Sequence, residues 1–119
     1  TTLDFDTKES NMSVTVHQIS EVNLNSTLQA KTPLGYVVIF FYEDLTPVHE
    51  ILSPVFLEIS RRCPFSQFFK ANISDFSDDV LAKHGILSPP MFVIAQFGSI
   101  KHKFSTSTKD TLIQKMKEK

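Results

Sequence analysis

The spacing of apolar positions changes several times along the chain, and each change marks an element. Val14-Thr-Val-His-Gln-Ile19 alternates apolar with polar, which predicts a half-buried strand. Glu21 to Ala30 carries Val22, Leu24 and Leu28 behind a possible cap at Ser20 and predicts a short helix. Thr32 to Gly35 reads as a turn. Tyr36 to Tyr42 is apolar throughout and rich in β-branched and aromatic residues. It predicts a central strand covered by helices on both faces. The next helix is the best specified. Thr46 can cap it, and Pro47 occupies the first helical position, where a missing N–H costs nothing. Val48, Ile51, Leu52, Val55, Phe56 and Ile59 form one apolar face. Arg61 and Arg62 suit the last turn, and Pro64 ends the helix. Pro54 lies inside the pattern and predicts a kink, because it removes one backbone bond and crowds the preceding turn.

Phe65 to Ile73 has strand composition, and Ser77 to His84 predicts a short helix ended by Gly85. Met91 to Phe97 is a second apolar strand, and Gly98-Ser99 turns it into Ile100 to Phe104, which alternates and so has one wet face. Thr108 to Lys119 predicts a terminal helix with Leu112, Ile113 and Met116 on one side. The order β-α-β-α-β-α-β-β-α calls for a mostly parallel sheet between helical layers, closed by an antiparallel hairpin. Residues 1–12 are polar and read as a loose lead-in to a single domain over residues 13–119.

Over Val14 to Lys119 these residues resemble the thioredoxin fold. The carriers are a buried strand ending in Phe41-Tyr42-Glu43-Asp44, a long helix with Pro54 eight residues after Thr46, and Pro90 five residues after Gly85, directly before a strand. The resemblance implies an α/β, three-layer thioredoxin fold: a central mixed sheet of about five strands flanked by four helices, with a cis-proline before a central strand. The family's second proline is cis, so the Pro89–Pro90 bond is expected to be cis as well. The segment Val37 to Ala71 also resembles, more loosely, the thioredoxin-like domain of phosducin-like proteins, which act as adaptors for G-protein subunits and the cytosolic chaperonin. Non-catalytic domains of protein disulfide isomerases are a similarly loose match.

The departures from the family concern its chemistry. Redox-active members begin the kinked helix with Trp-Cys-Gly-Pro-Cys; here the register gives Leu45-Thr46-Pro47-Val48-His49. Disulfide exchange needs a thiolate, and the hydroxyl of Thr46 cannot replace one. The family's buried aspartate aligns with Phe40. Redox members hold peptides through the backbone of the residue before the cis-proline, here Pro89, which has no N–H to donate. The resemblance therefore implies an intact frame with deleted chemistry: a redox-inactive protein-interaction or chaperone-adaptor domain. Its expected contact surface is Leu45, Thr46, Pro47, Val48, His49, Pro89 and Pro90.

Composition narrows the alternatives. The chain of 119 residues has a net charge of -1 and no basic tract, so nucleic acid is not an expected partner. Its longest apolar run is far short of the ~20 residues of a spanning helix, so no membrane insertion is expected. Three glycines leave no phosphate-cradling loop, and no cofactor is expected. A single cysteine, Cys63, excludes an internal disulfide and a Cys-x-x-Cys pair. An isolated cysteine is most often a buried, inert small hydrophobe. If Cys63 is exposed, Arg61 and Arg62 could activate it, and the alternative is a thiol-dependent redox or glutathione-handling enzyme. A second alternative is a structural, non-catalytic domain of a larger protein disulfide isomerase-like protein. The four histidines show no ligand spacing, so no metal site is expected. Thr46 and His49 could also form a nucleophile pair, but only with an orienting group and oxyanion donors that the acidic neighbours Glu43, Asp44 and Glu50 do not offer. Phe65, Phe68, Phe69, Phe76 and Phe104 are expected to fill a tryptophan-free core. Sequons at Asn11, Asn25 and Asn72 allow glycosylation, Asn11 and Asn25 being the better candidates, and point to the endoplasmic reticulum lumen as an alternative to the cytoplasm.

Overall fold

The computed structural model describes residues 16–30, 35–63, 66–86 and 89–117. Among them are five strands, β1 (Val16–Ile19), β2 (Val37–Tyr42), β3 (Gln67–Asn72), β4 (Met91–Gln96) and β5 (Ser99–Ser105). Four α-helices accompany them: α1 (Leu24–Leu28), α2 (Pro47–Arg62), α3 (Asp78–Lys83) and α4 (Lys109–Lys117). The sheet order is β1-β3-β2-β4-β5. β1, β3 and β2 run parallel, whereas β4 and β5 are antiparallel additions. The parallel strands therefore send their carboxyl ends to one end of the molecule, where β4 begins.

Alternation along β2 divides the core into two layers, although every residue of that strand is buried. Val37, Ile39 and Phe41 face α1 and α3, packing on Leu24, Leu28 and Ile86. Val38, Phe40 and Tyr42 face α2 and α4, packing on Leu52, Phe56 and Leu112. Two-sided burial is why the strand reads as a continuous apolar run. Of the phenylalanines expected in the core, Phe68 and Phe76 are buried and Phe69 and Phe104 pack against it. Phe65 lies outside the described residues.

The caps follow from local chemistry. The Thr46 hydroxyl oxygen accepts from the His49 N–H at 3.3 Å, and Pro47 opens α2. Ser77 accepts from the Val80 N–H and opens α3. Gly85, at φ 73°, closes α3 in a conformation that costs a side-chain-bearing residue strain. Pro54 lies within α2, and the helix continues through it. The Pro89–Pro90 peptide bond is cis.

Three local expectations are corrected. Ile51 is 54% exposed rather than part of the core face, because α2 docks on the line through Leu52 and Phe56 and turns Ile51 to its edge. The β4–β5 turn centres on Phe97 and Gly98, both at positive φ, rather than on Gly98-Ser99; paired positive φ values suit a two-residue hairpin. Finally, β5 does not keep one wet face. A bulge shifts the register between Ile94 and Ala95, leaving Lys101 as the extra residue. Ile100 consequently packs on the α1/α3 side and Phe104 on the α2/α4 side.

Candidate functional site

The end where β2 stops and α2 starts gathers most of the residues singled out by the sequence. Phe41 pairs with Met91, so the Pro89–Pro90 segment that precedes β4 lies beside the exit of β2. Leu45 forms the crest between strand and helix. Its side chain is 89% exposed, and its backbone sits at φ 61°. A left-handed conformation costs a non-glycine residue roughly 1–2 kcal/mol, and such strain concentrates at functional positions. Asp44 holds the crest by accepting from the Leu45 N–H at 3.0 Å. Pro47 is exposed, and Val48 is half-buried against the α2/α4 core.

Thr46 and His49 do not form a catalytic pair. The Thr46 hydroxyl donates to the Glu43 carbonyl at 2.8 Å while its oxygen receives the His49 backbone N–H. No base reaches its proton. The His49 ring turns instead beneath the helix and stacks on Tyr42 at 4.2 Å between centroids. Its Nε2 lies 2.9 Å from the Lys70 Nζ, which also donates to the Ser53 hydroxyl at 2.9 Å and sits 4.7 Å from the Tyr42 ring centre. The Tyr42 hydroxyl accepts from the Gln18 amide at 2.9 Å. This cluster joins β1, β2, β3 and α2.

Phe40, beneath the cluster, is 0% exposed. It stacks on Phe92 at 4.6 Å, and Phe92 stacks on Phe104 at 5.3 Å, each contact falling between register partners. An aromatic ladder thus crosses three strands at the position where the resemblance puts a buried carboxylate in redox members.

Burial, and then the Lys70 ammonium, hold the His49 imidazole below its ordinary value. Burial also lowers Lys70, with Asp44 and Glu50 acting in the opposite sense. A neutral His49 accepts a hydrogen bond from the Lys70 ammonium at Nε2 and then carries its own hydrogen on Nδ1, which is buried without a hydrogen-bond partner. Below the ordinary imidazole value of 6.5 the unfolded chain binds a proton that the native chain resists. Native stability is therefore expected to fall as pH drops from 6.5 towards the lower native value. Urea unfolding at a series of pH values checks this. The slope should flatten in His49→Phe, which keeps a ring on Tyr42; an unchanged slope would exonerate His49.

Lys70, Ser53 and Tyr42 were not among the residues picked from the sequence. The available signal was a lysine in a strand of phenylalanines, at the register partner of Phe40. Cys63, whose exposure the sequence leaves open, is exposed, because it caps the carboxyl end of α2 beyond the last core turn. It lines a groove of 550 Å³ between α2 and α4, with Pro54, Val55, Ile59, Ile113 and Met116 as apolar walls. Asn25 is exposed on α1, whereas Thr27 of its sequon is buried. Asn72 is occupied in accepting from the Ser74 N–H and hydroxyl. Asn11 lies outside the described residues. Among the described residues no group of three or more His, Cys, Asp or Glu could hold a metal ion, and no helix is long and apolar enough to cross a membrane.

No family model and no curated protein matches the chain. Solved structures do. Mitochondrial thioredoxin 3 from Saccharomyces cerevisiae, in its oxidized form, superposes with a TM-score of 0.74 at 16% identity, over 91% of this chain and 99% of that one. Thioredoxin O2 from Arabidopsis thaliana, in the oxidized state, gives 0.74 at 21% identity, over 89% and 95%. Chlamydomonas reinhardtii thioredoxin f2 gives 0.74 at 16% identity, over 87% and 92%. Identities this low establish the architecture and leave the activity to the residues.

Proposed function

We propose that this chain, which has the thioredoxin fold and only one cysteine, is a redox-inactive protein-interaction module of the chaperone-adaptor kind. Its contact surface is the former active-site end: Leu45, Thr46, Pro47, Val48, His49, Pro89 and Pro90. The observation that carries the reading is Leu45, a large apolar side chain held almost fully in solvent by a strained backbone. The chemistry beneath it is consistent with this role. The Thr46 hydroxyl is spent as a cap, His49 is tied to Lys70, and Phe40 is packed in the core. The experiment is affinity capture with the isolated domain, comparing wild type with Leu45→Asp and Val48→Asp. A disulfide-reduction turbidity assay is the companion measurement. The expected result is no turnover above the dithiothreitol-only rate, and sustained turnover would overturn the redox-inactive half of the proposal.

The exposure of Cys63 on the α2/α4 groove favours one second reading, a thiol enzyme using that sulfur. Its position at a helix carboxyl end opposes this. Alkylation of the folded protein at neutral pH is therefore expected to proceed no faster than that of free glutathione. A rate about tenfold higher would signal an activated sulfur and favour the enzyme. A purely structural domain of a larger disulfide isomerase-like protein would make the Leu45 and Val48 substitutions silent in capture.

A further inference from the structure

We infer that the segment docking on the Leu45 end is a basic one, an apolar side chain flanked by lysine or arginine. This inference rests on the interaction reading above and adds the chemical class of the partner. Charge is segregated in the molecule although its sum is only -1. The connections leaving the carboxyl ends of the three parallel strands, residues 20–23, 43–50 and 72–79, contain no lysine or arginine. Around the crest they place Glu43, Asp44, Glu50 and Asp75, all exposed. Among the described residues none of these four carboxylates pairs with a cation; the ion pair there is Arg62 with Glu58, at the opposite end of α2. Lys70, the cation of the cluster beneath this end, is half-buried and committed to His49, Ser53 and the Tyr42 face. Three of the four are near enough to be felt by the cluster: Asp44 and Glu50 act on both His49 and Lys70, and Asp44 and Asp75 on Tyr42.

The backbone supplies the second half of the argument. Pro47, Pro89 and Pro90 have no N–H, and the Pro90 carbonyl already accepts from the Ser105 hydroxyl at 2.9 Å. A strand laid across this end would find few main-chain partners, so pairing of the β-addition kind cannot supply much affinity. Recognition falls to side chains. Those on offer are apolar (Leu45 and Val48) inside an uncompensated negative frame. An acidic or neutral segment would desolvate carboxylates without return, whereas a basic one gains steering and complementarity.

The test is titration of the isotope-labelled domain with three synthetic heptapeptides of equal length and a central Leu, flanked by Lys, by Ser or by Glu. The lysine peptide should bind about tenfold more tightly than the serine peptide at low salt, the worth of two or three exposed charge contacts. Amide shifts should centre on residues 43–50 and 75. The advantage should shrink on raising salt towards ~0.5 M. The variant Glu43→Gln/Glu50→Gln/Asp75→Asn, altered only at exposed positions, should bind the lysine peptide as weakly as the wild type binds the serine peptide. Equal binding of lysine and serine peptides at the same residues would overturn the basic class while leaving the docking surface in place. Tighter binding of the glutamate peptide, or an undiminished affinity in the triple variant, would also overturn it. If no peptide binds and Leu45→Asp captures as wild type does, the surface itself is wrong and both proposals fall.

Discussion

Phe40→Ala is expected to destabilise the fold by about 3–5 kcal/mol, the range for truncating a fully buried phenylalanine. Phe40 is the inner rung of the Phe40–Phe92–Phe104 ladder and also meets Phe56 at 5.3 Å and Tyr42 at 5.7 Å. It lies on the inner strand of the sheet, between β3 and β4, so the surrounding backbone cannot close on the space that truncation leaves. A domain of this size has roughly 5–15 kcal/mol in total, so this one change removes a large share. Phe104→Ala should cost less, because that ring is half-buried on the edge strand β5. Denaturant midpoints of the two variants check the order. A cost below about 1.5 kcal/mol for Phe40→Ala would mean that the ladder contributes little to the α2/α4 layer of the core.

The second large effect concerns binding. Leu45→Asp should reduce partner capture by roughly tenfold or more, as expected for truncating and charging the central apolar anchor of an interface. Its exposure means that the folded monomer loses no packing, so thermal stability should hardly change. This dissociation separates a contact residue from a structural one. If capture and stability fell together, Leu45 would be supporting the fold.

Much of the architecture was legible because its signals are local. The apolar run from Tyr36 to Tyr42 can form a strand only if both faces are covered, and six of its residues, Val37–Tyr42, do so. Thr46-Pro47 and Ser77 are start signals with a mechanism, and both helices begin there. The misreadings arose where rotation or register decides. A helical period defines a mean face, and a small rotation of α2 about Leu52 was enough to expose Ile51. The bulge at Lys101 leaves no trace in a simple alternation, yet it sends Ile100 and Phe104 to opposite layers. At the candidate site the sequence located His49 but not its partner. Lys70 is 21 positions away and arrives through the parallel pairing of β3 with β2, which is tertiary information. The exposure of Cys63 is not legible from its type, which is most often buried; its place after the last core turn of α2 puts it in solvent.

Leu45→Gly is the sharpest probe of the proposed role. Glycine accepts φ 61° without strain, so removing the side chain relieves the backbone while deleting the contact. Native stability measured by urea unfolding should hold or rise by up to about 1 kcal/mol, and capture of the partner measured on the same preparation should collapse. A variant that is equally stable and still captures its partner at the wild-type level would contradict the claim that this end of the thioredoxin-like frame is a binding surface.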